Sequence, residues 1–303
     1  MKTVLITGGS GFIGSHLAKI LIERGLRVKI FDRSVRRENI KDIQNHIEIV
    51  EGDIRDYDKI EKTIKGCDVV FHLAALISIS QSLENPQKTN DVNVNGTLNA
   101  LLASRKNKIK RFIFTSSSAV YGDCRKLPIK EECPKNPTSP YAVSKLAAEE
   151  YCKTFSKIHN LPVTILRYFN VFGPHQNLNY AGVITQFINA LSRGDTPLIY
   201  GDGEQTRDFI YIHDAVDAAI RAMNSKHPLL IVNIGTGKQT SVNGLFTALC
   251  TILNKPPTAT YKNPRDGDIR HSVADITKAK ITLDFKPSYT LTEGLKETIQ
   301  YFE

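Results

Sequence analysis

The sequence predicts an α/β fold, a doubly wound parallel sheet followed by a smaller C-terminal region. Three observations predict it. Short β-rich runs alternate with helical-period runs from Lys2 to Arg167. A glycine turn, Gly8-Gly9-Ser10-Gly11-Phe12-Ile13-Gly14, separates the first strand from the first helix. After Tyr168 the regularity weakens and Gly and Pro become frequent.

In chain order, Lys2 to Thr7 is a short strand ending at the glycine turn. From Phe12 to Arg24 the residues Ile13, Leu17, Ile20 and Leu21 recur at helical spacing, and Gly25 closes the helix. Arg27 to Asp32 alternates polar and apolar residues as a second strand, and Ile47 to Glu51 is a third. Tyr57 to Ile64 is a helix, and Asp68 to Leu73 is a strand apolar enough to be buried on both faces. A long helix from Val92 to Asn107, a strand from Arg111 to Ser116, a helix from Tyr141 to His159 and a strand from Pro162 to Arg167 follow. Leu230 to Asn233 returns to the main sheet. The expected division is 1–170 with 208–250 as the sheet domain and 171–207 with 251–303 as the smaller region. No repeat or low-complexity tract interrupts it.

Composition narrows the function classes. Hydrophobic residues make up 41% and charged residues 23% of 303 residues, which is ordinary for a globular protein with a sizeable core. The net charge of +9 raises nucleic acid as a partner. Its densest cluster, Lys106 to Arg111, reads instead as a solvated loop before a strand, so no nucleic-acid partner is expected. Five cysteines, with no CxxC pair, argue against a disulfide framework and a zinc site, and a reduced cytoplasmic compartment is expected. No metal site and no membrane partner are expected, and the apolar run Val4-Leu5-Ile6 stops too soon for a leader.

The glycine turn sits between a strand and a helix, the context in which such a motif binds a dinucleotide. Gly8 permits the sharp turn, Gly11 lets backbone approach a pyrophosphate, and Gly14 permits close helix–strand packing. Phe12 and Ile13 open the helix whose free N–H groups face the anion. Asp32, about 20 residues on, ends the second strand where a carboxylate accepts from ribose hydroxyls. Because Asp32 repels a 2′-phosphate, NAD is expected over NADP, with Arg33, Arg36 and Arg37 pulling the other way. This is a Rossmann-type expectation.

Tyr141 and Lys145 share a face of one predicted helix. Tyrosine is a weak base at neutral pH because its ordinary pKa is about 10. A nearby ammonium and a nicotinium ring would stabilise the phenolate. A hydroxyl from Ser116, Ser117 or Ser118 at the end of the preceding strand would complete a relay to a substrate alcohol. Alone, this spacing describes a half-buried tyrosine beside a snorkelling lysine; downstream of a dinucleotide turn it points to redox chemistry.

These segments resemble the extended short-chain dehydrogenase/reductases, in the NAD-dependent nucleotide-sugar epimerase/dehydratase group. The similar stretches are TGGSGFIGSHL (7–17), GDIRD (52–56), HLAA (72–75), NVNGTLN (93–99), FTSSSAVYGD (114–123), SPYAVSK (139–145), LRYFNVFGP (166–174), GDGEQTRDFIYIHD (201–214) and RDGDIRHSVAD (265–275). The resemblance implies tightly held NAD, a UDP-sugar substrate, and a homodimer in which the helices near 92–107 and 141–159 pair. It implies Ser117 as the catalytic hydroxyl with Tyr141 and Lys145, and adenine contacts at Asp53 and Ile54. Leu73, Ala74, Ala75, Asn93 and Lys145 are implied on the cofactor side. Asn170, Arg207 and Arg265 are implied at the diphosphate, Asp268 at the uridine ribose, and Ser272 in the sugar pocket. Paired guanidinium donors suit phosphate oxygens.

Within the group, similar dehydratases carry an acidic pair after the catalytic Ser/Thr, and decarboxylases a glutamate two positions after it. Here those positions are Ser118 and Ala119. Neither is an acid or base, so elimination and decarboxylation are disfavoured and 4-epimerisation remains. The small Ser272 implies room for a 2-N-acetyl group, so UDP-GlcNAc/UDP-GalNAc and UDP-glucose/UDP-galactose are both expected. A UDP-glucuronate 4-epimerase ranks lower, because a Thr usually stands there in place of Asn170. Non-catalytic NAD-sensing or RNA-binding relatives form a minor alternative, but they typically lack the Tyr or the Lys.

Overall fold

Seven strands build one sheet in the computed structural model, which describes residues 1–176, 182–264 and 269–302. They are β1 (Thr3–Thr7), β2 (Arg27–Asp32), β3 (Ile47–Glu51), β4 (Val69–His72), β5 (Arg111–Ser117), β6 (Val163–Tyr168) and β7 (Leu229–Ile234). Their order is β7-β6-β5-β4-β1-β2-β3, and every pair is parallel. Parallel strands need crossovers that cover both faces, so both faces must be apolar. In β1 all five residues are buried, with Val4 and Ile6 in one core layer and Leu5 in the other. The chain reverses direction across the sheet at β1 and β4, which opens a crevice at their C-terminal ends.

The helices that matter for the site are α1 (Phe12–Glu23), α2 (Tyr57–Ile64), α3 (Gly96–Lys106), α4 (Pro140–His159), α5 (Val183–Arg193), α6 (Ile212–Met223), α7 (Val242–Ile252) and α8 (Leu291–Phe302). On one face α1 packs against α6, burying Leu17 and Leu21 in a core that also holds Ala215, Val216 and Ala219. On the other face α2, α3 and α4 bury Ile60, Ile64, Ala100, Leu101, Ala148 and Cys152. The first core layer continues into Phe187, Leu245 and Leu295.

Local chemistry sets two starts. Ser139 caps α4 by accepting from the Ala142 N–H, and Pro140 takes the first turn, where its missing N–H costs nothing. The helix expected from Val92 opens as a π-helical turn, Asp91–Asn95, before α3. The wider turn carries the buried Asn93 inward, where its amide bonds Leu76 and Ser144.

Beyond β6, three small two-stranded sheets form among the described residues. Asn170–Phe172 pairs in parallel with Phe209–Tyr211, Leu198–Tyr200 in parallel with Thr260–Lys262, and Thr206–Arg207 antiparallel with Thr240–Ser241.

One expectation is overturned. Cys124 and Cys133 form a disulfide, with Cα atoms 7.0 Å apart, while Cys67, Cys152 and Cys250 are free and buried. An odd count of cysteines does not reveal a loop that folds back on itself between β5 and α4 and brings two of the five together. Among the described residues no helix is long and apolar enough to cross a membrane.

Candidate active site

The glycine turn leaves β1 at the switch point. Gly8 has φ +70, and a Cβ there would lie 2.9 Å from the Ala74 nitrogen. At Gly14 a Cβ would lie 2.3 Å from the Gly8 carbonyl oxygen and 2.8 Å from the Gly9 Cα, so only hydrogen fits. Gly11 precedes α1 and makes no side-chain cap, which leaves first-turn N–H groups for an anion. Asp32 Oδ2 accepts from the Ser10 hydroxyl at 2.7 Å and the Ser10 N–H at 3.1 Å, which holds the carboxylate against the turn. Such a cradle, which side chains would fill, fits the pyrophosphate of a dinucleotide, with Asp32 beside it for a ribose.

The opposite wall is set by a directional chain. Thr97 Oγ donates to the Asn93 carbonyl at 2.6 Å, so it accepts from His72 Nε2 at 2.9 Å. His72 Nδ1 is then the acceptor for the Thr7 hydroxyl at 2.8 Å, and Thr7 Oγ accepts in turn from the Ala74 N–H at 3.2 Å. Burial pushes the His72 pKa down to about 3, and the ring stays neutral in this tautomer. The half-buried Leu73, Ala74 and Ala75 are thereby fixed opposite Gly8. Asp53 lies further out, forked to Arg55 at 2.7 and 2.9 Å, which holds its carboxyl down at about 2. Ile54 is buried against Gly96.

At the end of β5, Ser117 Oγ accepts from the Ala119 N–H at 3.2 Å. Burial raises the Tyr141 pKa above its ordinary value, and the neighbouring Ser117 hydroxyl pulls it back. Lys145 is buried, its Nζ donating to the Thr115 carbonyl at 2.8 Å and lying 5.0 Å from the Phe114 ring centre. Burial lowers its pKa to about 8. The structure thus places Ser117 near Tyr141 and turns Lys145 to the strand backbone at Thr115. Ser118 and Ala119 follow at once, half-buried and without a carboxylate.

The residues expected at the sugar nucleotide are more dispersed. Asn170 is exposed, and its N–H donates to the Asp208 carbonyl at 3.0 Å. Arg207 is half-buried and donates to the Thr206 carbonyl at 2.9 Å. Ser272 is buried, with its N–H on the same carbonyl at 3.1 Å. Arg207 and Ser272 therefore meet at Thr206. Arg265 and Asp268 lie outside the described residues. A cavity of about 580 Å³ is lined by Tyr200, Gln205, Tyr261, Pro264, Ile269 and Arg270. It is separate from the Ser117–Tyr141 pair. Gln205 donates from Nε2 to the Tyr200 carbonyl at 2.8 Å, and its buried Oε1 has no partner.

Two residues escaped the sequence reading. Asp208, fully buried, accepts from the N–H groups of Thr236, Gly237 and Ala274 and from the Thr236 hydroxyl, so it pins two loops behind Arg207. Glu149 is fully buried against Ser116 and Arg167. An acid placed among apolar helix positions was the available signal for Glu149; Asp208 had only its place in the QTRDF stretch.

Comparison with known proteins follows this geometry. The model of the family described as "NAD dependent epimerase/dehydratase family" matches residues 4–235. The chain is 41% identical to UDP-N-acetylglucosamine 4-epimerase from Methanobrevibacter ruminantium M1, solved with UDP-N-acetylmuramic acid, at a TM-score of 0.95, covering 99% of this chain and 98% of that one. It is 39% identical to UDP-glucose 4-epimerase from Thermotoga maritima, solved with UDP-glucose, also at 0.95 and covering 99% and 98%. It is 38% identical to a UDP-N-acetyl-alpha-D-glucosaminuronate decarboxylase from Bacillus cytotoxicus, over 99% of this chain and 98% of that one. Identity alone does not separate these reactions.

Proposed function

Because this chain belongs to the NAD dependent epimerase/dehydratase family, we propose that it is a UDP-sugar 4-epimerase with resident NAD, acting on UDP-glucose/UDP-galactose, UDP-GlcNAc/UDP-GalNAc or both. The observation that carries this is the placing of Ser117 at the end of β5 and Lys145 on the Thr115 carbonyl beside it, followed in the chain by Ser118 and Ala119 rather than by a carboxylate.

Gly8, Gly11, Phe12, Ile13, Gly14 and Asp32 hold NAD on one side, and Asp53, Ile54, Leu73, Ala74, Ala75, Asn93 and Lys145 on the other. NAD, when bound, supplies reversible acceptance of a hydride from the sugar C4. The chain does the rest. Tyr141 takes the proton of the 4-hydroxyl through Ser117, and the Lys145 ammonium stabilises the phenolate that burial otherwise disfavours. With no acid or base at Ser118 or Ala119, the 4-keto sugar keeps its other substituents. Asn170, Arg207, Arg265 and Asp268 retain it through the nucleotide while its ring turns over, and Ser272 leaves room for an N-acetyl group. The cavity beside Tyr200 takes the uridine end.

The same division of labour follows for the chain: 1–170 with 208–250 for the cofactor, 171–207 with 251–303 for the sugar nucleotide. A homodimer is supported by Val143, Tyr151 and Ile158, exposed by 52%, 39% and 64% along one stripe of α4. No nucleic acid or membrane takes part. Cytoplasmic placement rests on the free, buried Cys67, Cys152 and Cys250, and the Cys124–Cys133 bond counts against it.

Tyr141→Phe tests the function. It removes the proton acceptor and leaves the nucleotide contacts, so turnover should fall by about 10²–10⁴-fold while UDP binding is kept. Full activity in that variant would exclude this mechanism.

A further inference from the structure

Three consecutive residues of β5 each face a successive turn of α4. Tyr141 neighbours Ser117, Lys145 donates to the Thr115 carbonyl, and Glu149 accepts from Ser116 Oγ at 2.5 Å. The last contact is anchored sideways. Ser116 and Arg167 are register partners across β5 and β6. Glu149 accepts from Arg167 Nε at 2.9 Å on Oε1 and from the terminal nitrogen at 2.6 Å on Oε2. The remaining guanidinium nitrogen donates to the Tyr121 hydroxyl at 2.8 Å and the Glu131 carbonyl at 3.0 Å. Tyr121 passes on to Asn233 Oδ1 at 2.6 Å. The side chains of Glu149 and Arg167 are 0% and 1% exposed, and every polar atom of the pair is satisfied.

A buried ion pair is poor at stabilising a fold, because desolvation offsets the attraction and apolar residues of similar size do as well. What it adds is direction, since a two-pronged fork fixes both distance and angle. Resting on the epimerase function proposed above, we infer that Glu149, locked by Arg167, is a positioning residue for the proton relay of Ser117, Tyr141 and Lys145, holding α4 at one height against the end of β5.

A second consequence concerns charge. Facing Lys145 are His72 from β4, the Phe114 ring and Thr115 carbonyl from β5, and Cys152 and Glu149 on its own helix. His72 is neutral, and burial keeps the Cys152 thiol protonated. Glu149 opposes the burial that pulls Lys145 down. Around Glu149 itself stand Arg167 from β6 and Tyr121, Glu131 and Lys135 from the loop after β5. Loss of the Glu149 charge therefore moves the alkaline limit of activity to lower pH.

The test uses the full-length holoenzyme and reads steady-state epimerisation and reduction of bound NAD by UDP-sugar across pH. Glu149→Gln alone strands a buried guanidinium, so it is paired as Glu149→Gln/Arg167→Met. This double variant should bind UDP and NAD with unchanged affinity, lose about 10–100-fold in kcat, as misplacement by about 1 Å does, and show an alkaline limb shifted to lower pH. Glu149→Asp keeps the charge and shortens the reach: kcat should fall while the limb stays. Tyr141→Phe runs beside them. Wild-type kcat and an unmoved limb in the double variant, with Tyr141→Phe inactive, overturn the positioning role. Normal kcat in Glu149→Asp overturns it also, even if the double variant fails to fold. An active Tyr141→Phe instead overturns the proposed function.

Discussion

Replacing Gly14 by alanine separates the cofactor seat from ordinary backbone strain. Gly14 does not have a positive φ, so the added methyl acts only through contact. That methyl would stand 2.3 Å from the Gly8 carbonyl oxygen, 2.8 Å from the Gly9 Cα and 3.0 Å from the Gly9 carbonyl carbon, all backbone. Carbon contacts settle near 3.5–4.0 Å, so α1 must retreat from the turn by roughly 1 Å. Overpacking of this kind costs about 1–3 kcal/mol, which lowers the melting temperature of a chain this long by about 2 °C per kcal/mol. The same retreat opens the seat on which the N–H groups of α1 meet a pyrophosphate, so NAD affinity should drop by at least about tenfold, or 1.4 kcal/mol. Gly25→Ala is the control. Its φ is +76 and nothing lies within 4 Å of its added Cβ. It should cost about 1–2 kcal/mol of left-handed strain and leave NAD affinity untouched. Calorimetric melting and titration of the cofactor-stripped protein measure both quantities. Wild-type NAD affinity in Gly14→Ala would refute the placement of the pyrophosphate at this turn.

Other outcomes follow from the same structure. His72 titrates near 3 in the fold and near 6.5 in the unfolded chain. Between those values the unfolded state binds the extra proton, so stability falls as pH falls, by about 1.4 kcal/mol per unit. From pH 7 to pH 5 the wild type should therefore lose about 2 kcal/mol more than His72→Gln in urea unfolding; equal losses would mean that the ring is not held neutral. Ser272→Tyr should abolish turnover of N-acetylated sugars and spare UDP-glucose, and unchanged UDP-GlcNAc turnover would remove Ser272 from the sugar pocket. Val143→Asp with Ile158→Asp should convert a dimer into a monomer by sedimentation, because both side chains sit on the exposed stripe of α4; an unaffected dimer would place the interface elsewhere.

The sheet was legible because its signals are local. Alternation of apolar runs with helical periods places β1 to β7, and α2 spans Tyr57–Ile64 as expected. Gly14 was legible for a related reason, since its contacts are made with Gly8 and Gly9 of the same turn, whereas Gly8 meets Leu73 and Ala74 from beyond β4 and only its place in the motif marked it. Lys145 shows where local signals end. Its spacing puts it on the Tyr141 face, but only tertiary contact sends its ammonium to the Thr115 carbonyl. The π-helical turn that carries Asn93 inward has no periodicity of its own, because it depends on Leu76 and Ser144 from other segments. Asp208 and Glu149 were hidden likewise: each satisfies partners more than fifteen positions away, and an isolated carboxylate in sequence reads as surface. The Cys124–Cys133 bond depends on a chain reversal that counting cysteines cannot reveal.

The most direct measurement of the central claim is incubation of the purified protein, with no cofactor added, with UDP-glucose, UDP-GlcNAc and UDP-glucuronate in turn, followed by separation of the products. The account predicts the C4 epimer of UDP-glucose, of UDP-GlcNAc or of both, with no net accumulation of reduced NAD. Release of carbon dioxide, loss of water, or recovery of all three sugars unchanged from NAD-loaded protein would contradict it.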